Sequence, residues 1–333
     1  MTALENSPSD MVMNRILIIG GTGYIGKYMA KASVSLGYPT YILVRPTTAA
    51  APDSFKAKLL QEFKDIGIHV LQEGSLDDHK SLVDAIKQVD VVISAVAIPQ
   101  HLDRFNIIKA IKDVGITNIK RFVPSEFGNE VDTVQALPPF QRVCDNKKKF
   151  RRAIEEAGIP FTFFSANSYA KYFIDCFFHP RQKPQPEEVV IYGDGLTKAF
   201  MNSEDDIAAL TIMMANDRRT MNRLVIYRPT SNIISQSELV SLWEKKTGRN
   251  LKRVFLPEAE MVRLSEILPR PDQNIPVSIL HNIFVKGDQT NFEMGEKDLE
   301  ACELYPGYRH TSIDELLAIS VVDPPETKLA SFI

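Results

Sequence analysis

The chain has 333 residues, of which 44% are hydrophobic and 24% are charged, and this composition excludes a wholly disordered protein. Its 39 lysines and arginines against 42 aspartates and glutamates leave a net charge of −3, which argues against a dedicated nucleic-acid-binding protein. The longest nearly apolar run, residues 91–98, is too short to span a bilayer, and the first residues lack the basic and apolar regions of a secretory signal.

Short β-branched runs alternate with helix-length segments along the first half of the chain. These runs are apolar throughout, which is typical of strands that helices cover on both faces of a parallel sheet. We therefore predict an α/β fold with a Rossmann-type, doubly wound parallel sheet. The predicted strands are 15–19, 40–44, 69–71, 90–94, 120–123 and 161–164, and the predicted helices are 24–36, 55–66, 79–88, 101–114 and 140–157.

After residue 165 the alternation becomes looser, which favours a smaller, mixed α/β substrate-binding lobe. A Pro-rich segment, 179–186, is predicted to mark a boundary in this part of the chain. The predicted strands here are 189–192, 223–227 and 252–255, and the predicted helices are 203–216, 236–247 and 257–268. The predicted organisation is a flexible N-terminus (1–13), a nucleotide-binding Rossmann domain (14–165), a mainly substrate-binding lobe (166–320) from which some chain could return to the Rossmann sheet, and a loosely attached tail (321–333).

A glycine-rich string, Gly20-Gly-Thr-Gly-Tyr-Ile-Gly26, directly follows the first predicted strand and opens the first predicted helix. Glycines at 20, 23 and 26 allow a sharp turn and let backbone N–H groups approach a pyrophosphate, which the positive end of the helix dipole also attracts. The strand–loop–helix context makes this string more specific than the glycines alone, and it predicts a dinucleotide site.

The end of the second predicted strand distinguishes NAD from NADP. NAD-dependent enzymes usually place an acidic residue there, to accept a hydrogen bond from the ribose 2′-hydroxyl. This chain has Arg45 instead, with Lys56 shortly after it, and a guanidinium suits a 2′-phosphate. The alternative is a solvated arginine at a strand end. The sequence favours NADP(H) as the cofactor.

The ordinary catalytic motifs of this fold are missing from the sequence. None of the ten tyrosines is followed by a lysine four residues later, so the usual Tyr-x-x-x-Lys pair of short-chain dehydrogenases is absent. The sequence also lacks the Gly-x-Ser-x-Gly elbow of hydrolases and any histidine or cysteine spacing typical of a metal site. Another acid or base is therefore required.

Lys147 is the candidate that helical periodicity selects. It falls on the apolar stripe of the helix predicted at 140–157, whereas Lys148 and Lys149 turn towards water. A lysine in an apolar cleft loses proton affinity, and a nearby Arg151 acts in the same direction, so Lys147 could serve as a general acid or base. Periodicity alone favours the alternative, a lysine that extends its ammonium to solvent at a lobe interface.

Two histidines also occupy informative positions. His101 follows the fourth predicted strand, where open α/β sheets bind ligands. His281 could line a pocket of the second lobe, although a histidine of the core is the alternative.

Four segments together resemble the plant isoflavone reductase-like family of atypical, NmrA-type short-chain reductases. The resemblance covers about residues 14–320 and implies an NADPH-dependent enzyme that acts on phenylpropanoids. The segments are Gly20–Gly26, Lys120-Arg-Phe-Val-Pro-Ser-Glu-Phe-Gly128, Lys147 with Arg151-Arg152, and Gly158-Ile-Pro-Phe-Thr-Phe163.

Within this family, four further segments are most similar to the eugenol and isoeugenol synthases. This similarity implies reduction of coniferyl acetate, or a related monolignol ester, through a quinone methide to isoeugenol or eugenol; we expect isoeugenol as the major product. The alternatives are a phenylcoumaran benzylic ether reductase and a non-catalytic NADP-sensing regulator. The segments are Ala136–Phe140, Ser165–Asn167, Val225–Pro229 and Asn274–Pro276.

The resemblance also assigns roles to individual residues. Lys147 falls at the position of the family's catalytic lysine, and Arg45, Lys56 and Arg151 at cofactor contacts. The remaining predicted cofactor residues are Gly20, Gly21, Thr22, Gly23, Tyr24, Ile25, Gly26, Pro99, Gln100, Ser125, Glu126, Phe127, Asn167, Ser168 and Tyr169, and the predicted substrate residues are Ile98, His101, Tyr172 and His281.

The predicted partner is a small phenylpropanoid ester. Binding of nucleic acid, a metal or a membrane is not expected, and the chain could form a homodimer. Cys144, Cys176 and Cys302 cannot all pair within one chain, so a reducing cytoplasm is the simplest location.

Overall fold

The computed structural model describes residues 13–45, 54–72, 74–97 and 102–327. None of the helices in these ranges is both long enough and apolar enough to cross a membrane. In chain order the strands are β1 (Ile16–Ile19), β2 (Thr40–Val44), β3 (His69–Gln72), β4 (Val91–Ser94), β5 (Arg121–Val123), β6 (Thr162–Ser165), β7 (Ser168–Tyr169), β8 (Glu188–Tyr192), β9 (Lys198–Asn202), β10 (Arg223–Ile226), β11 (Ile233–Ser235), β12 (Lys252–Leu256) and β13 (Leu299–Glu300). The helices are α1 (Tyr24–Ser35), α2 (Phe55–Asp65), α3 (His79–Ile86), α4 (Phe105–Val114), α5 (Pro138–Glu156), α6 (Ala170–Phe178), α7 (Glu204–Asn216), α8 (Gln236–Thr247), α9 (Glu258–Ile267), α10 (Pro271–His281), α11 (Ala301–Leu304) and α12 (Ile313–Val322).

A parallel sheet in the order β3-β2-β1-β4-β5 forms the centre of the fold. Successive residues of β1 are all buried, but they face opposite layers. Ile16 and Ile18 pack with the layer that contains α1, α2 and α7, whereas Leu17 and Ile19 pack with the layer of α3, α4 and α5. Because side chains alternate between the two faces of a strand, β1 contributes apolar residues to both layers. The predicted Rossmann-type sheet is confirmed.

The sheet continues beyond β5 through chain that follows residue 165. The Phe122 N–H donates to the carbonyl of Pro160 at 2.7 Å, which aligns the segment leading into β6 beside β5. β6 then pairs in parallel with β10, and β10 with β13. Residues 223–226 and 299–300 thus belong to the same layered unit as the sheet β3-β2-β1-β4-β5.

Several elements that follow residue 165, together with the start of α5, surround a second, aromatic-rich core. Phe178 of α6 stacks on Trp243 of α8 with ring centroids 4.7 Å apart. Val189 and Ile191 of β8 pack into this same core. The Pro-rich segment 179–186 therefore joins two elements of one core, and the prediction that it marks a boundary is wrong.

The structure also corrects the expectation of a loosely attached tail. Arg181 donates to the carbonyls of Pro324 and Pro325 at 2.6 and 3.0 Å, and Pro325 is buried. Thr327 is hydrogen-bonded to Asp175 of α6. The described part of the tail is therefore held against the second lobe.

Candidate active site

A cavity of about 510 Å³ lies at the carboxyl ends of β1, β2, β4 and β5. Helices α5, α6 and α10 supply its opposite wall. This edge of an open α/β sheet is the usual ligand-binding position, because the loops that leave the strands diverge there.

The glycine-rich loop forms one end of the cavity, and the glycine positions described next have no room for a side chain. Gly20 has φ +85°, and a Cβ there would lie 2.7 Å from the Ala95 carbonyl oxygen. A Cβ on Gly26 would lie 2.1 Å from the carbonyl oxygen of Gly20. Helix α1 then begins at Tyr24 without a cap from any described side chain. Its first N–H groups therefore remain available, as a pyrophosphate requires.

Arg45 and Lys56 lie together at the end of β2 and the start of α2, and both line the cavity. Partial burial lowers the pKa of Lys56, and the positive charge of Arg45 lowers it further. Two neighbouring cations with this mutual repulsion are suited to a dianionic phosphate, which would stabilise both charges.

The strand ends opposite this loop present the residues predicted near the nicotinamide. The Ser125 hydroxyl donates to the carbonyl of Val96 at 2.8 Å, which ties the ends of β4 and β5 together. Asn167, with φ +61°, donates through its amide to the carbonyl of Tyr227 at 2.8 Å. Ser168 accepts a hydrogen bond from the amide of Gln289 at 2.7 Å. These bonds fix the backbone that faces the cavity.

Lys147 lies on the cavity face of α5, where its Nζ donates to the backbone carbonyl of Glu126 at 2.6 Å. Burial lowers the pKa of Lys147, the positive charges of Arg104 and Arg151 act in the same direction, and the carboxylate of Glu126 opposes them. Lys149, two residues later, is exposed, as predicted, whereas Lys148 is half-buried and does not turn fully towards water. Lys147 therefore has the environment of a general acid or base rather than that of a solvated lysine.

Arg104 is a cavity residue that the sequence did not reveal. It is 2% exposed, its guanidinium lies over the ring of Phe150 at 5.2 Å, and it donates to the carbonyl of Ser125 at 3.1 Å. In sequence it reads as one more charged residue at a helix start. Its burial depends on the packing of α4 against α5, which no local pattern shows.

Arg151 is not brought to the cavity wall. Its side chain is 1% exposed and pairs with Glu126 at 2.8 Å, Glu130 at 2.6 Å and Asp132 at 3.0 Å. The carboxylates occupy the guanidinium, so the arrangement gives no support to a direct cofactor contact. Arg151 instead holds Glu126, whose backbone carbonyl accepts from Lys147.

His281 is likewise turned away from the cavity. It is 3% exposed, and its Nε2 lies 3.0 Å from a carboxylate oxygen of Glu258 on α9. Ile279 and Ile283, on either side of it in sequence, line the cavity instead. Helical geometry accounts for this difference, because residues two apart point to different faces.

The other predicted residues divide into three groups. Ile98, Pro99, Gln100 and His101 lie outside the described residues. Gly21 and Gly26 support the loop from behind, since a Cβ on Gly21 would meet the side chain of Ile42 at 2.6 Å. The cavity brings together Gly20, Thr22, Gly23, Tyr24, Ile25, Arg45, Lys56, Ser125, Glu126, Phe127, Lys147, Asn167, Ser168, Tyr169 and Tyr172.

The wall opposite the glycine-rich loop is apolar and comes from distant parts of the chain. Phe140 and Val143 belong to α5, Phe173 to α6, Ile279 to α10, and Ile283 to the π-helical turn that follows α10. In sequence these residues read as ordinary core positions. Together with Tyr172, they suit an aromatic ligand with one polar end.

A family model described as the NmrA-like family matches residues 13–317 of the chain. Isoeugenol synthase 1 of Petunia hybrida is 55% identical over 319 residues, which are 96% of this chain and 97% of that protein. A phenylcoumaran benzylic ether reductase of Ginkgo biloba is 51% identical over 308 residues, which are 92% of this chain and 99% of that protein.

A solved structure of leucoanthocyanidin reductase from Vitis vinifera in complex with NADPH is also similar. It superimposes with a TM-score of 0.83 at 35% identity, and the match covers 93% of this chain and 100% of that chain. The resemblance identified from the sequence is confirmed.

Proposed function

Since the chain belongs to the NmrA-like family, in its isoflavone reductase-like branch, we propose that it is an NADPH-dependent phenylpropene synthase. Its substrate would be coniferyl acetate or a related monolignol ester, and its main product isoeugenol. The 55% identity to an isoeugenol synthase, over nearly the full length of both chains, supports this substrate class.

The observation that carries the proposal is the position of Lys147. Its ammonium lies on the wall of a cavity that has the phosphate-binding loop at one end and an apolar, aromatic wall at the other. Its pKa is lowered by burial. A base in this position can act on a phenol that is held beside a dinucleotide.

The residues that would hold NADP(H) fit its phosphates. The uncapped start of α1 and the glycine-rich loop would receive the pyrophosphate, and Arg45 with Lys56 the 2′-phosphate. When bound, the reduced nicotinamide supplies a hydride. The chain's own residues have to orient it and activate the substrate.

Lys147 would accept the phenolic proton, directly or through a bridging hydroxyl or water. The resulting phenolate expels acetate through the conjugated side chain: the carbon–oxygen bond breaks, acetate leaves with the electron pair, and a quinone methide remains. Hydride addition at C9 gives isoeugenol, and addition at C7 gives eugenol. The apolar wall would decide which carbon lies about 3–3.5 Å from the donated hydride.

The purified protein should convert coniferyl acetate and NADPH to isoeugenol. With NADPH that carries deuterium at the transferred position, the label should appear in the methyl group of the side chain. Label at the benzylic carbon of an allylphenol would assign eugenol instead. The same substrate methylated on its para oxygen should be inert, because no phenolate can form.

A second candidate function is that of a phenylcoumaran benzylic ether reductase. The 51% identity to the Ginkgo biloba reductase favours it, and the same lysine and hydride would serve to open a dimeric ether. Turnover of a phenylcoumaran substrate, without turnover of coniferyl acetate, would select this alternative.

A cytoplasmic location and a homodimer stay predictions from the sequence. Subcellular fractionation would test the first, and light scattering of the purified protein would test the second.

A further inference from the structure

Glu204, the first residue of α7, is a carboxylate that lies wholly inside the protein, with 0% of the residue exposed. One of its oxygens accepts a hydrogen bond from the Tyr24 hydroxyl at 2.6 Å and another from the Tyr172 backbone N–H at 3.1 Å. Its second oxygen accepts from the backbone N–H of Lys171 at 3.2 Å. A buried carboxylate needs such donors, since an unpaired one would be very costly.

The donors come from two different elements that border the cavity. Tyr24 is the first residue of α1 and part of the glycine-rich loop, whereas Lys171 and Tyr172 form the first turn of α6. Tyr24 and Tyr172 both line the cavity, and their ring centroids are 6.4 Å apart. Glu204 thus bonds the predicted phosphate site and the predicted substrate wall at once.

Helix α6 also interacts electrostatically with this carboxylate, because two of its first backbone N–H groups donate to it. Glu204 serves as an N-terminal cap for α6, where the positive end of the helix dipole stabilises an anion. Burial raises the pKa of Glu204, while the hydrogen bond from Tyr24 and the charge of Lys171 lower it. A shift of the loop would therefore change the hydrogen bonding of α6 through a single group.

We propose that Glu204 is a positioning residue that couples the cofactor loop to the substrate wall, so that NADP(H) on the loop orders α6 and Tyr172 for the aromatic substrate. This proposal rests on the proposed function only in taking NADP(H) and an aromatic phenylpropanoid as the two ligands. By linkage, each ligand should then strengthen the binding of the other.

Hydrogen exchange tests the coupling without any substrate. In the unaltered protein, NADP⁺ should slow exchange of the Lys171 and Tyr172 amides. In Glu204→Gln, NADP⁺ should still bind, but this protection should be lost. Tyr24→Phe removes a single donor, so it provides the same test if the Glu204 variant does not fold. Tyr28→Phe, one turn along α1 and outside the cavity lining, is the matched control and should keep the protection.

Calorimetry with coniferyl alcohol, which lacks the ester leaving group, supplies the second measurement. NADP⁺ should raise its affinity about fivefold or more in the unaltered protein, and less than about twofold in Glu204→Gln. In steady-state assays, Glu204→Gln should raise the KM for coniferyl acetate by a larger factor than it lowers kcat.

Three outcomes separate the hypotheses. If NADP⁺ binds the unaltered protein without protecting α6, or protects α6 equally in Glu204→Gln, the coupling is wrong. If NADP⁺ protects α6 only when Glu204 is present but coniferyl alcohol does not bind, the coupling stands and the proposed substrate fails. If NADP⁺ does not bind at all, both proposals fail.

Discussion

The two walls of the cavity are built by different means. The cofactor wall consists of backbone at the ends of sheet strands, with glycines such as Gly20 and the charges of Arg45 and Lys56. The substrate wall consists of apolar side chains that converge from α5, α6 and α10, such as Phe173 and Ile279. Charge and backbone shape should therefore determine the cofactor, whereas side-chain volume should determine the substrate. Variants of one wall test this distinction, and a variant that changed the binding of both ligands would break it.

Lys147 lies where the two walls meet, and its loss should have the largest effect. Lys147→Ala should abolish detectable turnover, while NADPH binding and the melting temperature should change little. The reason is that Nζ of Lys147 donates to a backbone carbonyl and not to a residue of the phosphate-binding loop. A positioned general base contributes about 10²–10⁴-fold in rate. The measurement is product formation from coniferyl acetate, with NADPH affinity followed by fluorescence titration.

Lys149→Ala is the matched control, since Lys149 is on the same helix but exposed. It should retain normal turnover. Equal losses in the two variants would remove the argument that one face of α5 carries the base.

Arg45 should have the next largest effect, confined to the cofactor wall. Arg45→Ala should raise the KM for NADPH roughly tenfold or more, since a hydrogen bond to a charged group contributes about 1.5–3 kcal/mol. Use of NADH should hardly change, and neither should the KM for coniferyl acetate. Parallel losses with both cofactors would show that Arg45 does not recognise the 2′-phosphate.

Arg104 should change the pH at which the enzyme works rather than the affinity for NADPH. Its positive charge lowers the pKa of Lys147, so the neutral amine forms at lower pH than for an ordinary lysine. Arg104→Met should raise that pKa and move the rising limb of kcat/KM to higher pH. Arg104→Lys, which keeps the charge, should leave the limb closer to its original position.

The substrate is the same for all three proteins, so ionisation of its phenol contributes equally to each pH profile of kcat/KM. A profile that Arg104→Met leaves unshifted would mean that the limb does not report Lys147, or that Arg104 exerts no field on it.

The same difference between the walls explains what the sequence could reveal. The glycine-rich loop and the cavity positions of Arg45 and Lys147 follow from local patterns: a spacing, a strand end and a helical phase. For Lys147 the phase alone favoured a solvated lysine, and the family resemblance was needed to select the cavity. Ile279 and Ile283 were not predictable, because their spacing of four residues is that of any buried helix face. Nothing local indicates that the face borders a cavity.

The structure departs from the sequence-based expectations where tertiary contacts override local chemistry. Arg151 has the right position for a cofactor contact, but the carboxylates of Glu126 and Glu130, from the chain that follows β5, occupy its guanidinium. His281 has polar character, yet Glu258 of α9 bonds it away from the cavity. Glu204 reads as an ordinary acidic residue in the first turn of a helix. Its role depends on Tyr24 and α6, which are 180 and about 30 residues away in sequence.

Ile279 should have the smallest effect, and on the substrate wall alone. Ile279→Val removes one methylene, which contributes about 0.8 kcal/mol when buried, so the KM for coniferyl acetate should rise roughly threefold to fourfold. The KM for NADPH should stay unchanged, the opposite of the Arg45→Ala result. Ile107→Val is the matched control, because Ile107 is buried on α4 but does not line the cavity. It should cost comparable stability, measured by urea unfolding, without changing either KM. If Ile279→Val instead raised the KM for NADPH, the two walls would not be separable. The change of shape at α10 would then be transmitted across the cavity to the cofactor site.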